Sequence, residues 1–258
     1  MREYTLNKYQ LLGMILIAAI WQGFYKVIGN SVILPSPLEA LIALKELITS
    51  EQFLKTIITT LSRTMISFLI AFVLSIVIGI IAALNKWFYD LIFPMISLFK
   101  TVPTMAIVIL ALIWLTNKKA PILIATLMVL PILYEAVIKG IRDVDPKLLG
   151  MAKVYDVKTI YKIKDIYIPS VLYNIGAIFS STIGLCLKLV IGGEVLGQPP
   201  LSIGTSIQTE KMYLNTAGVL AWIMVLVILS LLIDWVGKMS LLVVGTIRKG
   251  IQSGSALR

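Results

Sequence analysis

The sequence predicts an all-α, polytopic membrane protein with six transmembrane helices, and three observations carry that prediction. Of 258 residues, 59% are hydrophobic and 14% charged, against about half and a quarter in soluble domains. Charge-free runs recur at 9–25, 64–85, 101–117, 120–134, 166–187 and 212–233, close to the roughly 20 residues that a helix needs to cross hydrocarbon. Basic residues are unevenly divided: Arg2, Lys8, Lys86, the stretch 139–164 and the C-terminal tail outnumber Lys45, Lys55, Lys118, Lys119 and Lys211 in the alternate segments. By the positive-inside rule, that asymmetry places both termini in the cytoplasm.

The elements follow in order within a single domain, 1–258. Spans are expected at 9–28, 56–84, 94–116, 120–138, 169–191 and 214–243. The first resembles a secretory leader, because Arg2 and Lys8 precede an apolar core. No small-x-small cleavage site follows, however, and the run continues past Trp21 and Phe24, which predicts an uncleaved helix. Next, Ser36, Pro37 and Glu39 form a helix start in which Ser caps, Pro fits the first turn and Glu closes a capping box. An outer amphipathic helix is therefore expected at 36–49, with Leu38, Leu41, Ile42 and Ile48 facing membrane or protein. The fourth span reaches full length only if Glu135 lies within it. Between the fourth and fifth spans comes a basic, amphipathic segment, 142–168. Asp145 before Pro146 starts a short helix there, Asp156 ends or recaps it, and Pro169 suits the first turn of the fifth span. Its Leu148, Leu149, Val154, Tyr155, Ile160 and Ile163 form apolar surface of the kind that implies a cytoplasmic partner.

Several chemistries are excluded by composition. The chain has no histidine, which removes His-based proton relays, catalytic triads and most zinc sites. Its one cysteine, Cys186, allows no internal disulfide and reads as a small buried residue. The net charge of +10 reports topology and contact with anionic membrane lipid rather than nucleic acid. Ser180, Ser181 and Thr182 cluster in the fifth span without a base, and such hydroxyls bond their own helix backbone. An ion-coupled secondary transporter is an alternative, although the internal repeats expected of one are not evident.

Charges in or beside spans are costly and invite explanation. Arg63, Lys100, Glu135, Lys188, Gly193 and Glu194 are the candidate pathway or gate residues. Lys188 is the best solute-facing cation, favouring an anionic substrate unless it pairs with Glu135 or Glu194. Asp234 and Lys238, one turn apart, read as a structural pair. Gly192, Gly193 and Gly197 allow close helix approach or a break in the fifth span. Glu194 and the following QPPLSIGTSIQ read as an outer gate and docking loop.

The segment 150–169 resembles the signature of permeases of ATP-binding-cassette importers: E-A-A, three residues, G, nine residues, I-x-L-P. Its positions fall on Gly150, Met151 and Ala152, then Asp156, then Ile166, Ile168 and Pro169, so the Glu and the Gly are replaced. The stretches LPSP, LSRTMISF, FKTVPTMA, GIRDVDPKLL and GGEVLG resemble the nitrate/sulfonate/taurine permease family, and the resemblance covers roughly 33–242. It implies a type I ABC importer permease fold in the cell membrane, a second permease copy forming a homodimer, two cytoplasmic ABC ATPase subunits and an external substrate-binding protein. ATP and Mg are implied on the ATPase, consistent with the absence of a G-x-x-x-x-G-K-[ST] loop from this chain, and no cofactor or metal is expected on the permease. The implied ATPase-coupling residues are Asp145, Pro146, Leu148, Leu149, Gly150, Met151, Ala152, Tyr155, Asp156, Ile166 and Pro169. Lys100, before Val102–Pro103, matches a basic family position that secures a helix kink. The implied solute is small and anionic, of the nitrate, sulfonate or taurine kind, with a vitamin or pyrimidine precursor as the alternative.

Overall fold

A computed structural model describes residues 8–255, with side chains described continuously from Ile15 to Gly237. It is a helical assembly in which α3 (Phe53–Leu84), α6 (Ala120–Arg142) and α9 (Ile168–Gly197) form the centre. Around them stand α1 (Lys8–Ile28), α2 (Pro37–Thr49), α4 (Lys86–Thr101), α5 (Thr104–Trp114), α7 (Pro146–Val154), α8 (Thr159–Lys162), α10 (Ile203–Met212) and α11 (Thr216–Ser255).

The register of the three central helices follows from their contacts. Thr126 donates to the Ser67 carbonyl, and Gly79 faces Val137 twelve residues further along α3, so α3 and α6 run parallel. Gly193 packs on Pro121 while Gly140 packs on Val171, so α9 runs antiparallel to α6. Gly140 is required at the second crossing. A Cβ there would stand 2.7 Å from the Val171 Cα, and Ser170 closes the contact by donating to the Gly140 carbonyl at 2.6 Å. Small residues at such crossings let helix backbones approach where lipid supplies no hydrophobic drive between helices. The main core, around Phe68, Leu133, Val137, Val171 and Val190, fills the space between the three helices.

The third predicted span, 94–116, is corrected. It is not one helix but α4 and α5, bent by 101°. The cause is local: Pro103 has no N–H to continue the ladder, and it holds Val102 at ψ 130, in the extended region favoured before proline. With 11 residues, α5 rises about 16 Å, half the hydrocarbon thickness. Among the described residues, four helices are long and apolar enough to cross a membrane: α3, α6, the continuous stretch Thr159–Gly197 and the described part of α11. The α4–α5 pair makes a fifth if it is counted as one span, and Ile15–Ile28 of α1 is a shorter apolar helix.

Local signals explain the smaller elements. At α2 the Ser36 Oγ accepts from the Glu39 N–H at 3.2 Å, and the Ser36 N–H donates to Glu39 Oε2 at 2.7 Å, a reciprocal capping box. The Trp21 indole donates to the Pro35 carbonyl at 3.0 Å, tying α1 to this start. At α7 the Asp145 side chain accepts from the Lys147 N–H. The helix ends where the Val157 N–H reaches the Ala152 carbonyl and the Asp156 N–H reaches the Lys153 carbonyl. This six-to-one and five-to-two pairing is a Schellman stop with Asp156 left-handed, φ 48. The second half of the segment 142–168 is one turn, α8, followed by a π-helical turn, Ile163–Tyr167, that runs straight into α9. The fifth span is unbroken from Ile168 to Gly197, so Gly193 and Gly197 serve close approach and not a break, while Gly192 meets open space.

Candidate functional site

The two ends of the helical core carry different chemistry. At the end where α3 begins and α9 finishes, Arg63 and Glu194 form a buried ion pair, Nη1 to Oε1 2.6 Å, with the residues 7% and 0% exposed. Thr60 donates to both Glu194 oxygens at 3.1 and 3.0 Å, and the Gly204 N–H donates to Oε2 at 3.2 Å. The same cluster completes the N-terminus of α10. Its first three N–H groups, which have no helical acceptor, are taken by the Thr60 Oγ, the Glu194 carboxylate and the Ser202 Oγ respectively. Only glycine fits at 204, because a Cβ would lie 2.4 Å from the Glu194 Cβ. The carboxylate also stands at the positive end of the α10 dipole, which favours its charge.

Beside this cluster, α2, α10 and the starts of α3 and α11 enclose a cavity of about 670 Å³. Its wall carries Glu46, Glu51 and Glu210 with the hydroxyls of Thr56, Ser206 and Thr209. Its charge is acidic, and its rim is the outer helix and docking-loop region predicted from sequence.

At the opposite end, α7 stands as a short helix between α6 and α9. It presents Leu148, Met151, Val154 and Tyr155 to solvent, with Val154 83% exposed. Ala152 is buried, Leu149 half-buried, and Gly150 exposed with open space around it. Asp145 and Pro146 form the helix start, and Pro169 lies in the first turn of α9, with Ile166 in the π-helical turn before it. Of the expected coupling positions, 145–156 lie on one foot, α7 and its flanks, whereas Ile166 and Pro169 lie where the π-helical turn enters α9. Val154, the most exposed apolar residue on the foot, is absent from the motif positions; the apolar spacing after Leu148 and Met151 is the signal that points to it.

The ionisable residues in the spans sort into three kinds. Lys100, at the last turn of α4, forms an ion pair with Glu135 of α6 directly before the Val102–Pro103 break. Arg63 and Glu194 satisfy each other, and this geometry leaves them no access to solute. Lys188, by contrast, is exposed on α9. The expected alternative, pairing with Glu135 or Glu194, is corrected, since both carboxylates are already taken by other cations. Gly193 is buried at the Pro121 crossing and so belongs to helix packing rather than to a pathway. Asp234 accepts from the Ser180 hydroxyl across α9 and α11, while the side chain of Lys238 lies outside the described residues. Ser181 and Thr182 donate to the Ile178 carbonyl of their own helix. Cys186 is buried and its thiol is free.

Residues 75–240 match the family of binding-protein-dependent transport system inner membrane components. The chain belongs to this family. Its fold is that of a type I ABC importer permease: a chain from the inward-facing conformations of the MetNI methionine ABC transporter superposes with a TM-score of 0.64, covering 74% of this chain and 97% of the other at 16% identity. At that identity the likeness is one of fold. In sequence, the permease is 28% identical over 239 residues to the putative aliphatic sulfonates transport permease protein SsuC of Bacillus subtilis (strain 168), covering 90% of this chain and 84% of the relative. Family membership makes the chain a membrane transport permease and sets aside the ion-coupled secondary transporter.

Proposed function

We propose that this permease moves a small anionic solute of the sulfonate or nitrate class through a pathway between two copies of itself. Two ATPase subunits, binding ATP and Mg, rest on α7 at the cytoplasmic end, and a binding protein delivers solute at the end built from α2 and α10. The termini lie in the cytoplasm, in keeping with the excess of basic residues on the α7 side. The carrying observation is Lys188, a cation on a spanning helix with no carboxylate partner among the described residues. Charges inside membranes face water-filled cavities or other protein, because lipid exposure is costly. The surface around Lys188 agrees: Ala177, Ser181, Gly184 and Gly192 recur with it at helical spacing on the open side of α9. The outward faces of α3 and α11 carry Leu69, Val73, Val77, Val227 and Leu231 instead, as lipid contact requires. A narrow seam of small residues with a positive centre suits an anion crossing between two copies. The name of the SsuC relative supports the sulfonate class.

Movement at α7 reaches this seam through a short link, residues 155–158, beyond which α8 and the π-helical turn run into α9 without a break. Closure of the ATPases shifts the foot, and α9 carries Lys188 with it, exposing the seam to one side and then the other. The test is uptake by the reconstituted complex with its ATPases and binding protein. Lys188→Met is expected to lower anion uptake about tenfold or more while leaving assembly intact, and Lys188→Arg to retain most of it. Full sulfonate and nitrate uptake by Lys188→Met, or loss of assembly in that variant, would remove Lys188 from the pathway and the anion class with it.

A further inference from the structure

A second cavity, of about 400 Å³, lies between α4 and the last turns of α6, on the α7 side of the molecule. Its lining is divided by chemistry. Lys139 and Arg142 stand toward the end of α6, whereas Phe93, Ile96 and Ile138 form an apolar wall. Lys100 and Glu135 neutralise each other at its edge. The charge that remains is Lys139 and Arg142 against the single carboxylate of Asp143, a positive excess. The Arg142 guanidinium is held over the Tyr89 ring, 5.4 Å from its centroid. That contact orients the cation and leaves its N–H edge for an acceptor. Tyr134 supplies an independent sign of a ligand. It lines the cavity and is 4% exposed, yet its hydroxyl is buried without a hydrogen-bond partner. Buried polar groups are rarely left so, and an orphan of this kind calls for a bound group or water.

We propose that this cavity binds the phosphate of an anionic phospholipid, with Arg142, Lys139 and the Tyr134 hydroxyl as its donors and the acyl chains lying along Phe93, Ile96 and Ile138. A free phosphate meets the same donors but leaves the apolar wall uncovered, so the lipid accounts for both halves of the site. Basic pockets between spanning helices at a membrane surface are a recognised kind of headgroup site. Arg142 ends α6 four residues before Pro146, where the foot begins. The lipid therefore braces the α4–α6 pair at the point where α6 hands over to the foot.

The test uses the full-length permease, purified with its ATPase partners and delipidated, then titrated with dioleoylphosphatidylglycerol, dioleoylphosphatidylcholine or inorganic phosphate. Native mass spectrometry reads retention and thermal unfolding reads protection. Phosphatidylglycerol is expected to be retained and to raise the unfolding temperature, while phosphatidylcholine does neither. The double variant Lys139→Gln/Arg142→Gln should weaken retention roughly 30-fold, at about fivefold per basic residue near an anionic headgroup. Tyr134→Phe, which keeps the ring and the packing, should weaken it by about threefold to tenfold, the worth of one hydrogen bond. Equal retention of the two lipids overturns the proposal, as does phosphatidylglycerol binding that neither variant alters. Protection by inorganic phosphate as complete as that by phosphatidylglycerol would assign the site to a free anion and overturn the lipid.

Discussion

Replacing Glu194 by Met should destabilise the permease more than any exposed substitution, and a matched change at Arg63 should recover much of the loss. The carboxylate accepts from Arg63, Thr60 and the Gly204 N–H while being fully buried. Its removal leaves a guanidinium in the core without a counter-charge, and breaking a buried pair from one side costs about 3–5 kcal/mol. The Gly204 N–H loses its acceptor too, which adds about 1–3 kcal/mol. At roughly 2–4 °C per kcal/mol for a chain of this size, the pair alone predicts a fall of about 6–20 °C in unfolding temperature. Removing both charges, in Arg63→Met/Glu194→Met, replaces an ion pair with apolar volume, an exchange that is often neutral. Only the Gly204 and Thr60 terms then remain. Thermal unfolding followed by tryptophan fluorescence on the three variants closes the cycle. A double variant whose loss equals the sum of the two single losses would show that the pair is not coupled, and would refute the reasoning.

Two further outcomes concern the foot. At Asp156 the backbone is left-handed, φ 48, a conformation that costs a side-chain-bearing residue about 1–2 kcal/mol and glycine nothing. Asp156→Gly should therefore raise hydrogen-exchange protection of the α7 amides by about fivefold to 30-fold, while Asp156→Val should lower it; the opposite order would count against the Schellman stop. Leu148→Asp should weaken copurification of the ATPase subunits about tenfold or more, since an apolar contact worth about 1.5–3 kcal/mol is lost and a charge is placed in its seat. Undiminished copurification would mean that α7 is not the contact.

What could be read from the sequence was local, and what could not was relational. The start of α2 was legible because Ser36, Pro37 and Glu39 carry the whole capping box within four residues. The start of α7 was legible for the same reason, in Asp145 and Pro146. Asp156, where the resemblance expects a glycine, takes the left-handed stop of the foot, a conformation glycine adopts freely and Asp is among the few other residues to tolerate. A kink at Val102–Pro103 was legible, but its size, 101°, was not, because hydropathy is blind to direction and residues 101–117 look continuous. The Arg63–Glu194 pair was hidden by its separation in sequence, as was the role of Thr60 and Gly204 in completing α10. Each of those residues has an ordinary local reading, and only the α3–α9 approach brings them together. For Lys188 the charges were visible from the start, but which carboxylates were already engaged was not.

The completed N-terminus of α10 has a mechanical consequence. Its first three N–H groups are held by α3, by α9 and by its own cap, so lifting α10 by itself would strand buried donors and unseat a buried carboxylate. The α10 segment therefore cannot swing as a separate flap. It must travel as part of a wall that includes both central helices, and in the proposed arrangement a binding protein pressing on α10 would push directly on the helix that carries Lys188.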